Sequence, residues 1–211
     1  MREILWHIPT LVSAYVIGAI PFSNVIARRR YGQDLRRIGT GTSTPANLHR
    51  VAGPRAAFVA GALELAKGAV VPALIGPDHT VLAAAAGGLA VAGHNWSPFL
   101  RGHGGRGIST ATGAMLVVAW PGAMFMCGCL AAGALTRRVL PFMRAAAFAL
   151  LPVLLLLDGR RGLLIGAILT APIGFKTTHE IYRRRLLRPF LRGRVHDIRD
   201  PPDLTGWEPA P

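Results

Sequence analysis

The sequence predicts an all-α integral membrane protein with about seven transmembrane helices. Hydrophobic residues make up 51% of the 211-residue chain and charged residues only 16%, whereas soluble domains carry about 25% charged residues. The mean hydropathy of +0.38 also excludes a chain that is disordered over most of its length. The apolar residues fall in long runs separated by short basic or glycine-rich stretches, which is the pattern of helices that span a bilayer.

Seven apolar segments are long enough, or nearly so, to cross a hydrocarbon layer about 30 Å thick. They cover residues 4–27, 56–76, 79–93, the two halves of 108–135, 139–157 and 162–176. The run 108–135 is interrupted by Trp120, Pro121 and Gly122, so we interpret it as two short helices rather than one kinked helix. The first segment has no small-residue cleavage site after it, and we expect it to be retained as a helix rather than removed as a signal peptide.

The distribution of basic residues favours seven spans over six. With the N-terminus outside, the only arginines on the outer side are Arg2, Arg160 and Arg161, and Lys67 lies within a span. One helix over 108–135 would move the basic cluster at 137–144 to the outside, against the positive-inside rule. We therefore expect a cytoplasmic C-terminus, a transmembrane domain over residues 1–195 and a disordered cytoplasmic tail over the Pro- and Asp-rich residues 196–211.

Charge and cysteine usage exclude two other classes of partner. The net charge of +14 is explained by the basic flanks of the spans, so we expect no nucleic-acid partner. Cys127 and Cys129 lie one residue apart in an apolar run, where a disulfide would be strained. No second Cys/His pair completes a zinc site in the sequence, and we expect neither a metal nor any other cofactor.

The first polar motif is the cytoplasmic loop over residues 34–50. It combines hydroxyls, small residues and backbone donors with Thr40, Gly41, Asn47 and Arg50. Such a loop suits an anion or a polyol bound at the start of a helix. A linker with helix-capping Ser and Thr is the equally good alternative.

The second motif lies inside the segment 56–76. Glu64 and Lys67, followed by Gly68, place opposite charges three residues apart on one helical face. Charges within a span are costly, so each is expected to face a polar cavity or a partner. A structural ion pair is the alternative.

The third motif, over residues 93–107, is the strongest signal in the chain. Gly104, Gly105 and Gly107 allow the backbone to approach a phosphate closely, and an apolar helix follows whose N-terminal N–H groups can bind an anion. Arg106 can contact two phosphate oxygens with one guanidinium group. The sequence does not contain the pattern of a Walker loop.

At these residues the sequence resembles the PlsY-type bacterial glycerol-3-phosphate acyltransferases, which use acyl phosphate as the donor. The family motif Ser-Gly-Asn-x-Gly-Ala-Thr-Asn-x-x-Arg lies over residues 40–50, and Asp-x-x-Lys-Gly lies over residues 64–68. Gly-His with a following Phe-Pro and then Lys-Gly-Gly-Lys-Gly lies over residues 93–107, and residues 18–22 are similar to Gly-Ser-Ile-Pro-Phe. The resemblance runs from about residue 14 to 185 with order and spacing preserved.

The chain is a divergent member by this comparison. Thr40 stands for the family's Ser, and Glu64 for its Asp. The other departures are Thr42, Pro45, His103, Arg106, Thr177 and Glu180, the last two standing for a His and an Asn unless a one-residue shift brings His179 into register.

The resemblance implies a mechanism and a set of site residues. An acyl phosphate enters laterally from the bilayer, the 1-hydroxyl of glycerol 3-phosphate attacks its carbonyl, and lysophosphatidic acid and phosphate are the products. Thr40, Arg50 and His94 are expected to act in catalysis, with His94 as a proton acceptor or, alternatively, as the cap of its helix. Substrate and phosphate are expected to bind at Gly41, Asn47, Lys67, Gly68, Gly104, Gly105, Arg106 and Gly107. The expected setting is a multi-pass monomer in the bacterial inner (plasma) membrane.

Two other functions stay open from the sequence alone. A divergent paralogue of the same fold would be inactive or would use another phosphorylated acceptor, since the changed residues cluster at the site. A small membrane transporter or scaffold would also explain short broken helices and charges inside spans. A transporter is expected to carry an internal repeat, and the sequence shows none.

Overall fold

The structure, a computed structural model, describes residues 2–191, with side chains from residue 6 to residue 182 apart from positions 140 and 144. Within residues 2–191 all regular secondary structure is helical, which confirms the predicted all-α class for that part of the chain. The α-helices are α1 (Arg2–Ala19), α2 (Phe22–Tyr31), α3 (Pro45–Ile75), α4 (Thr80–Asn95), α5 (Ile108–Val118), α6 (Trp120–Leu135) and α7 (Val139–Leu191). Residues 1–176 form one compact unit, and a second unit begins at Thr177. The predicted tail, residues 196–211, lies outside the described residues.

The first predicted segment, 4–27, is not one continuous helix. α1 ends at Ala19, and α2 begins at Phe22 after Pro21. Pro21 has no backbone N–H and lies at φ −93° and ψ 68°, outside the helical region. The chain therefore breaks within the predicted span, and polar groups gather at this break.

The second predicted segment begins earlier than its apolar run. α3 starts at Pro45, where the side chain of Thr44 accepts a hydrogen bond from the N–H of Asn47. Gly53, at φ +76°, interrupts the helical backbone just before Pro54. The second half of the first motif is thus the start of α3. Its polar composition did not indicate a helix, but the N-cap at Thr44 and the proline at the first helical position favour one.

The remaining breaks agree with the sequence. The predicted division of residues 108–135 is confirmed, since α5 ends at Val118 and α6 begins at Trp120. The predicted interruption between residues 157 and 162 is present as a kink at Gly159 in α7. The hairpin of the second and third segments turns at Gly76 and the 3-10 helix Pro77–His79.

Three stretches are long and apolar enough to cross a membrane by length and composition. They are Trp6–Tyr31, Pro45–Ile75 and Pro141–Tyr182, with shorter apolar helices at Ile108–Val118 and Trp120–Leu135. Large apolar side chains on these helices face outward, including Phe58 at 78% exposure and Phe148 at 87%. Such a surface is typical of contact with lipid rather than water.

Small residues bring the helices that carry the motifs into backbone contact. A Cβ atom on Gly68 of α3 would collide with the carbonyl of Thr110 in α5, and one on Gly113 of α5 would collide with the carbonyl of Leu65. This reciprocal packing is a common device in membrane helix pairs. It fixes the second motif directly against the helix that follows the third motif. Gly68 therefore has a packing contact with α5, and its predicted role in binding substrate or phosphate stays a prediction.

Candidate functional site

The charges of the second motif form a closed cluster inside the helical bundle. Glu64 Oε2 lies 2.6 Å from Lys67 Nζ and 2.9 Å from His94 Nδ1. Lys67 Nζ is 3.0 Å from the same His94 nitrogen. All three side chains are at most 5% exposed. Because isolated charges are costly at this depth, each charge here is compensated by its neighbours.

The cluster also forms hydrogen bonds with the residues at the break between α1 and α2. Lys67 Nζ donates a hydrogen bond to the carbonyl of Ile20 at 2.7 Å. The hydroxyl of Ser23 donates to Glu64 Oε1 at 3.3 Å, and Lys67 Nζ lies 5.9 Å from the centre of the Phe22 ring. The polar break in the first span therefore finds its partners on α3.

His94 connects the cluster to the glycine-rich loop. The N–H of Gly105 donates to the carbonyl of His94 at 3.1 Å, and that of Gly104 donates to the carbonyl of Asn95 at 3.2 Å. A Cβ atom on Gly105 would collide with Nε2 of the His94 ring and would lie 2.6 Å from the carbonyl of Ser43. The loop thus packs on the end of α4 as closely as glycine permits.

The backbone N–H groups of two of the glycines have partners in this packing, and their predicted part in binding phosphate stays a prediction. The N–H groups of Gly104 and Gly105 are occupied by α4 carbonyls and do not point into open space. The carbonyl of Asn95 also accepts a hydrogen bond from Lys176. In this structure Gly104 and Gly105 fix the position of the loop. The backbone N–H groups that can bind a ligand are those of the first turn of α5.

The start of α5 has the chemistry of an anion site. Gly107 precedes the helix with φ +79° and no side-chain cap. Arg106 is half-buried and has no hydrogen-bond or ion-pair partner among the described residues. Three buried polar atoms of this region have no hydrogen-bond partner within the part of the chain that the structure describes. They are Ser43 Oγ, Asn95 Oδ1 and Thr110 Oγ1. Open helix N–H groups with a neighbouring guanidinium group favour a phosphate or a carboxylate.

Asn47 organises the first motif from within. Its Nδ2 lies within 3.1 Å of the carbonyls of Leu35, Ile38 and Thr42. Its Oδ1 accepts a hydrogen bond from the N–H of Thr40 at 3.3 Å, and the residue is only 1% exposed. In this structure the amide contacts the loop itself, and the predicted role of Asn47 in substrate binding stays a prediction.

Other residues of the first motif are open to a ligand. Thr40, Gly41 and Arg50 are exposed. The Thr40 hydroxyl lies 2.7 Å from that of Thr42, and Arg50 has no hydrogen-bond or ion-pair partner in the described part of the chain. Because the carbonyl of Ser43 lies against Gly105, this loop and the glycine-rich loop are in contact.

The sequence analysis missed several buried polar residues around the site. They are Ser23, Asn24, Ser43, Ser97 and Lys176, each at most 7% exposed. The carbonyl oxygen of the Asn24 side chain accepts from the N–H of Leu35 at 2.8 Å, and Ser97 Oγ donates to the carbonyl of Ala19 at 2.6 Å. One signal was available, since Lys67 and Lys176 are the only two lysines of the chain.

The fold and the site define a helical membrane protein with a candidate anion site where two loops meet, next to a buried charge cluster. Residues 8–188 match the family model of glycerol-3-phosphate acyltransferases. The chain belongs to this family.

Individual relatives agree with that assignment. The chain is 36% identical over 132 residues to glycerol-3-phosphate acyltransferase 5 of Dehalococcoides mccartyi, covering 62% of this chain and 57% of the relative. It is 36% identical to the glycerol-3-phosphate acyltransferase of Cereibacter sphaeroides, over 83% of this chain and 84% of the relative. With the first of these the chain spans little more than half of the relative's length.

A solved structure has the same fold. The crystal structure of PlsY, an integral membrane glycerol 3-phosphate acyltransferase, in its glycerol 3-phosphate form superposes with a TM-score of 0.71 and 27% identity. The superposition covers 90% of this chain and 94% of that chain.

Proposed function

We propose that the protein transfers an acyl group from acyl phosphate to the 1-hydroxyl of glycerol 3-phosphate, giving lysophosphatidic acid and phosphate for phospholipid synthesis. One observation carries the proposal beyond family membership. Arg106 lies in the glycine-rich loop and Arg50 near the start of α3, directly after the loop that contacts it, and neither arginine has a hydrogen-bond or ion-pair partner among the described residues. Both substrates carry a phosphate, and the forked donors of an arginine suit the binding of each one.

The proposed reaction needs positioning and charge stabilisation more than a strong nucleophile. The acyl phosphate is already activated, so the acceptor hydroxyl attacks its carbonyl carbon and the bond to the phosphate oxygen breaks. The proton of the hydroxyl leaves on the departing phosphate. Arg50 and Arg106 then stabilise the phosphates, and the open N–H groups of the first turn of α5 stabilise developing negative charge.

The buried cluster supports a positioning role for two of the predicted site residues. His94 Nδ1 contacts Glu64 and Lys67, and its Nε2 faces Gly105. Lys67 is enclosed by the cluster and by the carbonyl of Ile20. We assign both residues to holding the glycine-rich loop, and we leave phosphate contact to the arginines and Thr40.

The membrane arrangement is part of the same proposal. Seven spans, an outer N-terminus and a cytoplasmic C-terminus place both loops on the basic, cytoplasmic side, in a multi-pass monomer of the bacterial inner membrane. Single cysteines at Thr80, the first residue of α4, and at Arg37 would be labelled by an impermeant thiol reagent from opposite sides of intact cells. Labelling of both positions from one side would contradict this topology. Because Cys127 and Cys129 are present in the chain, the background for this test is the variant with both replaced by Ala.

The donor can be tested directly. Purified protein in detergent is given palmitoyl phosphate or palmitoyl coenzyme A, each with and without glycerol 3-phosphate, and phosphate release and lipid product are measured. We expect lysophosphatidic acid only from palmitoyl phosphate and only with the acceptor present. Product from the thioester alone would overturn the donor assignment. Consumption of palmitoyl phosphate with a different phosphorylated acceptor would instead identify a divergent paralogue.

A further inference from the structure

A polar cleft lies between the end of α2 and the first residues of the first-motif loop, apart from Thr40, Arg50 and Arg106 of the proposed active site. It has a volume of about 320 Å³ and is lined by Arg28, Gly32, Gln33, Asp34, Arg36 and Arg37. None of these residues was predicted to bind substrate. The cleft is formed by the last turns of α2 and the turn that follows it.

The cleft carries an uncompensated positive charge. Arg36 Nη2 lies 2.6 Å from Asp34 Oδ2, and its Nε donates to Asp34 Oδ1 at 3.0 Å. The hydrogen bonds from Arg36, with a smaller contribution from the charge of Arg28, lower the pKa of Asp34 to about 2, so the carboxylate is ionised at neutral pH. Arg28 and Arg37 are exposed and have no hydrogen-bond or ion-pair partner in the described residues. Three arginines and one aspartate leave a net charge of +2.

The position of the cleft indicates what surrounds it. The candidate span Trp6–Tyr31 ends at the rim of the cleft. Tyr31 is 40% exposed there, and tyrosine is enriched where a helix leaves the hydrocarbon layer. The cleft therefore lies at the depth of lipid headgroups, where phosphodiester groups are the abundant anions.

We propose that this cleft binds the phosphate of an anionic phospholipid of the surrounding bilayer, at a site separate from the substrate site. Arg28 and Arg37 each offer a forked pair of donors for phosphate oxygens, and Gln33 also lines the cleft. Arg36 keeps its contacts with Asp34 and with the carbonyl of Leu100 at 3.4 Å, so it shapes the cleft. The proposal stands independently of the acyltransferase activity.

A pair of double variants separates this site from general electrostatic attraction. R28Q/R37Q removes the two unpaired cations of the cleft. R29Q/R30Q removes the same charge from neighbouring exposed positions of α2 that do not line it. Native mass spectrometry of the full-length protein titrated with phosphatidylglycerol or phosphatidylcholine measures how many lipids are retained and how strongly.

The expected result is one phosphatidylglycerol retained in preference to phosphatidylcholine by the wild type and by R29Q/R30Q. R28Q/R37Q is expected to bind phosphatidylglycerol about tenfold more weakly or worse, the size expected for two lost contacts between arginines and lipid phosphate. Equal weakening in both double variants, or no preference for the anionic lipid, would overturn the proposal. So would displacement of phosphatidylglycerol by millimolar inorganic phosphate, because the site would then recognise the free ion.

Discussion

Replacing Lys67 with Met is expected to destabilise the protein by about 3 to 5 kcal/mol, the usual loss when one member of a buried ion pair is removed. The structure supports the upper part of this range. Glu64 is fully buried and would keep only His94 at 2.9 Å and the longer contact with Ser23. The carbonyl of Ile20 would also lose its 2.7 Å partner, which adds about 1 kcal/mol.

The double variant E64Q/K67M measures the interaction energy between Glu64 and Lys67. Because it removes both charges together, no unpaired carboxylate remains, and a neutral replacement of a buried pair is often tolerated. We expect it to be less destabilised than the sum of the single variants by about 2 kcal/mol or more. R55M on the same helix is the control, since Arg55 is exposed and surface changes stay within about 0.5 kcal/mol.

The assay is denaturant unfolding of the detergent-solubilised protein, followed by tryptophan fluorescence. K67M with a loss below about 1 kcal/mol would refute the idea of a mutually dependent cluster, because a buried pair is expected to show the larger cost. Strict additivity of the two single variants would refute it as well. The acyltransferase activity of the folded fraction of each variant is then measured. A loss of activity in that fraction would support the role of the cluster in positioning the glycine-rich loop.

Three further outcomes follow from single sites. G105A is expected to lower stability by about 1 to 3 kcal/mol, because the new methyl group overlaps the buried imidazole beneath the loop; the thermal unfolding midpoint measures this. R106Q is expected to lower kcat/KM by roughly 30-fold, equivalent to about 2 kcal/mol of transition-state stabilisation, with little change in thermal stability. The contact of Asp34 with Arg36 is expected to stabilise the protein above about pH 4, and this contribution is lost as the pH falls toward about 2, the pKa of Asp34 in the folded protein; unfolding measured across that range tests it.

Each of these predictions has a control and a contrary result. A methyl group added at Gly128 in α6 would have nothing within 4 Å, so G128A is expected to leave stability unchanged or slightly raised. An equal effect of G105A and G128A would contradict the packing argument. Normal turnover by folded R106Q would remove Arg106 from the site. D34N should flatten the acid-side loss of stability, and an unchanged pH profile would show that the ion pair does not contribute.

The helical class and most helix boundaries were accessible from the sequence because they depend on local patterns. Gly159 and the Pro-Gly pair after Trp120 mark breaks through backbone preference alone. The break at Pro21 was missed because the apolar run continues across it, and hydropathy does not register a lost hydrogen bond. α3 begins before its apolar run because Thr44 caps the helix at that point. Hydropathy alone does not show that the polar residues after Thr44 are helical.

The site was predictable in its residue types and less so in its roles. The spacing of Glu64 and Lys67 predicts contact on one helical face, but the third member, His94, comes from another helix. Gly104 and Gly105 were expected to let the backbone approach a phosphate closely, and in this structure their N–H groups bind α4 carbonyls. A sequence motif specifies which groups are present, and the direction of each N–H depends on tertiary packing.

The most direct test of the proposed activity is the incorporation of radiolabelled glycerol 3-phosphate into lipid by the purified protein with palmitoyl phosphate. Wild type and the control R55Q are expected to form labelled lysophosphatidic acid at similar rates. R50Q and R106Q are each expected to lose roughly 30-fold or more in kcat/KM while remaining folded. Lack of labelled lipid from folded wild type, or full activity in both arginine variants, would contradict the proposed reaction at this site.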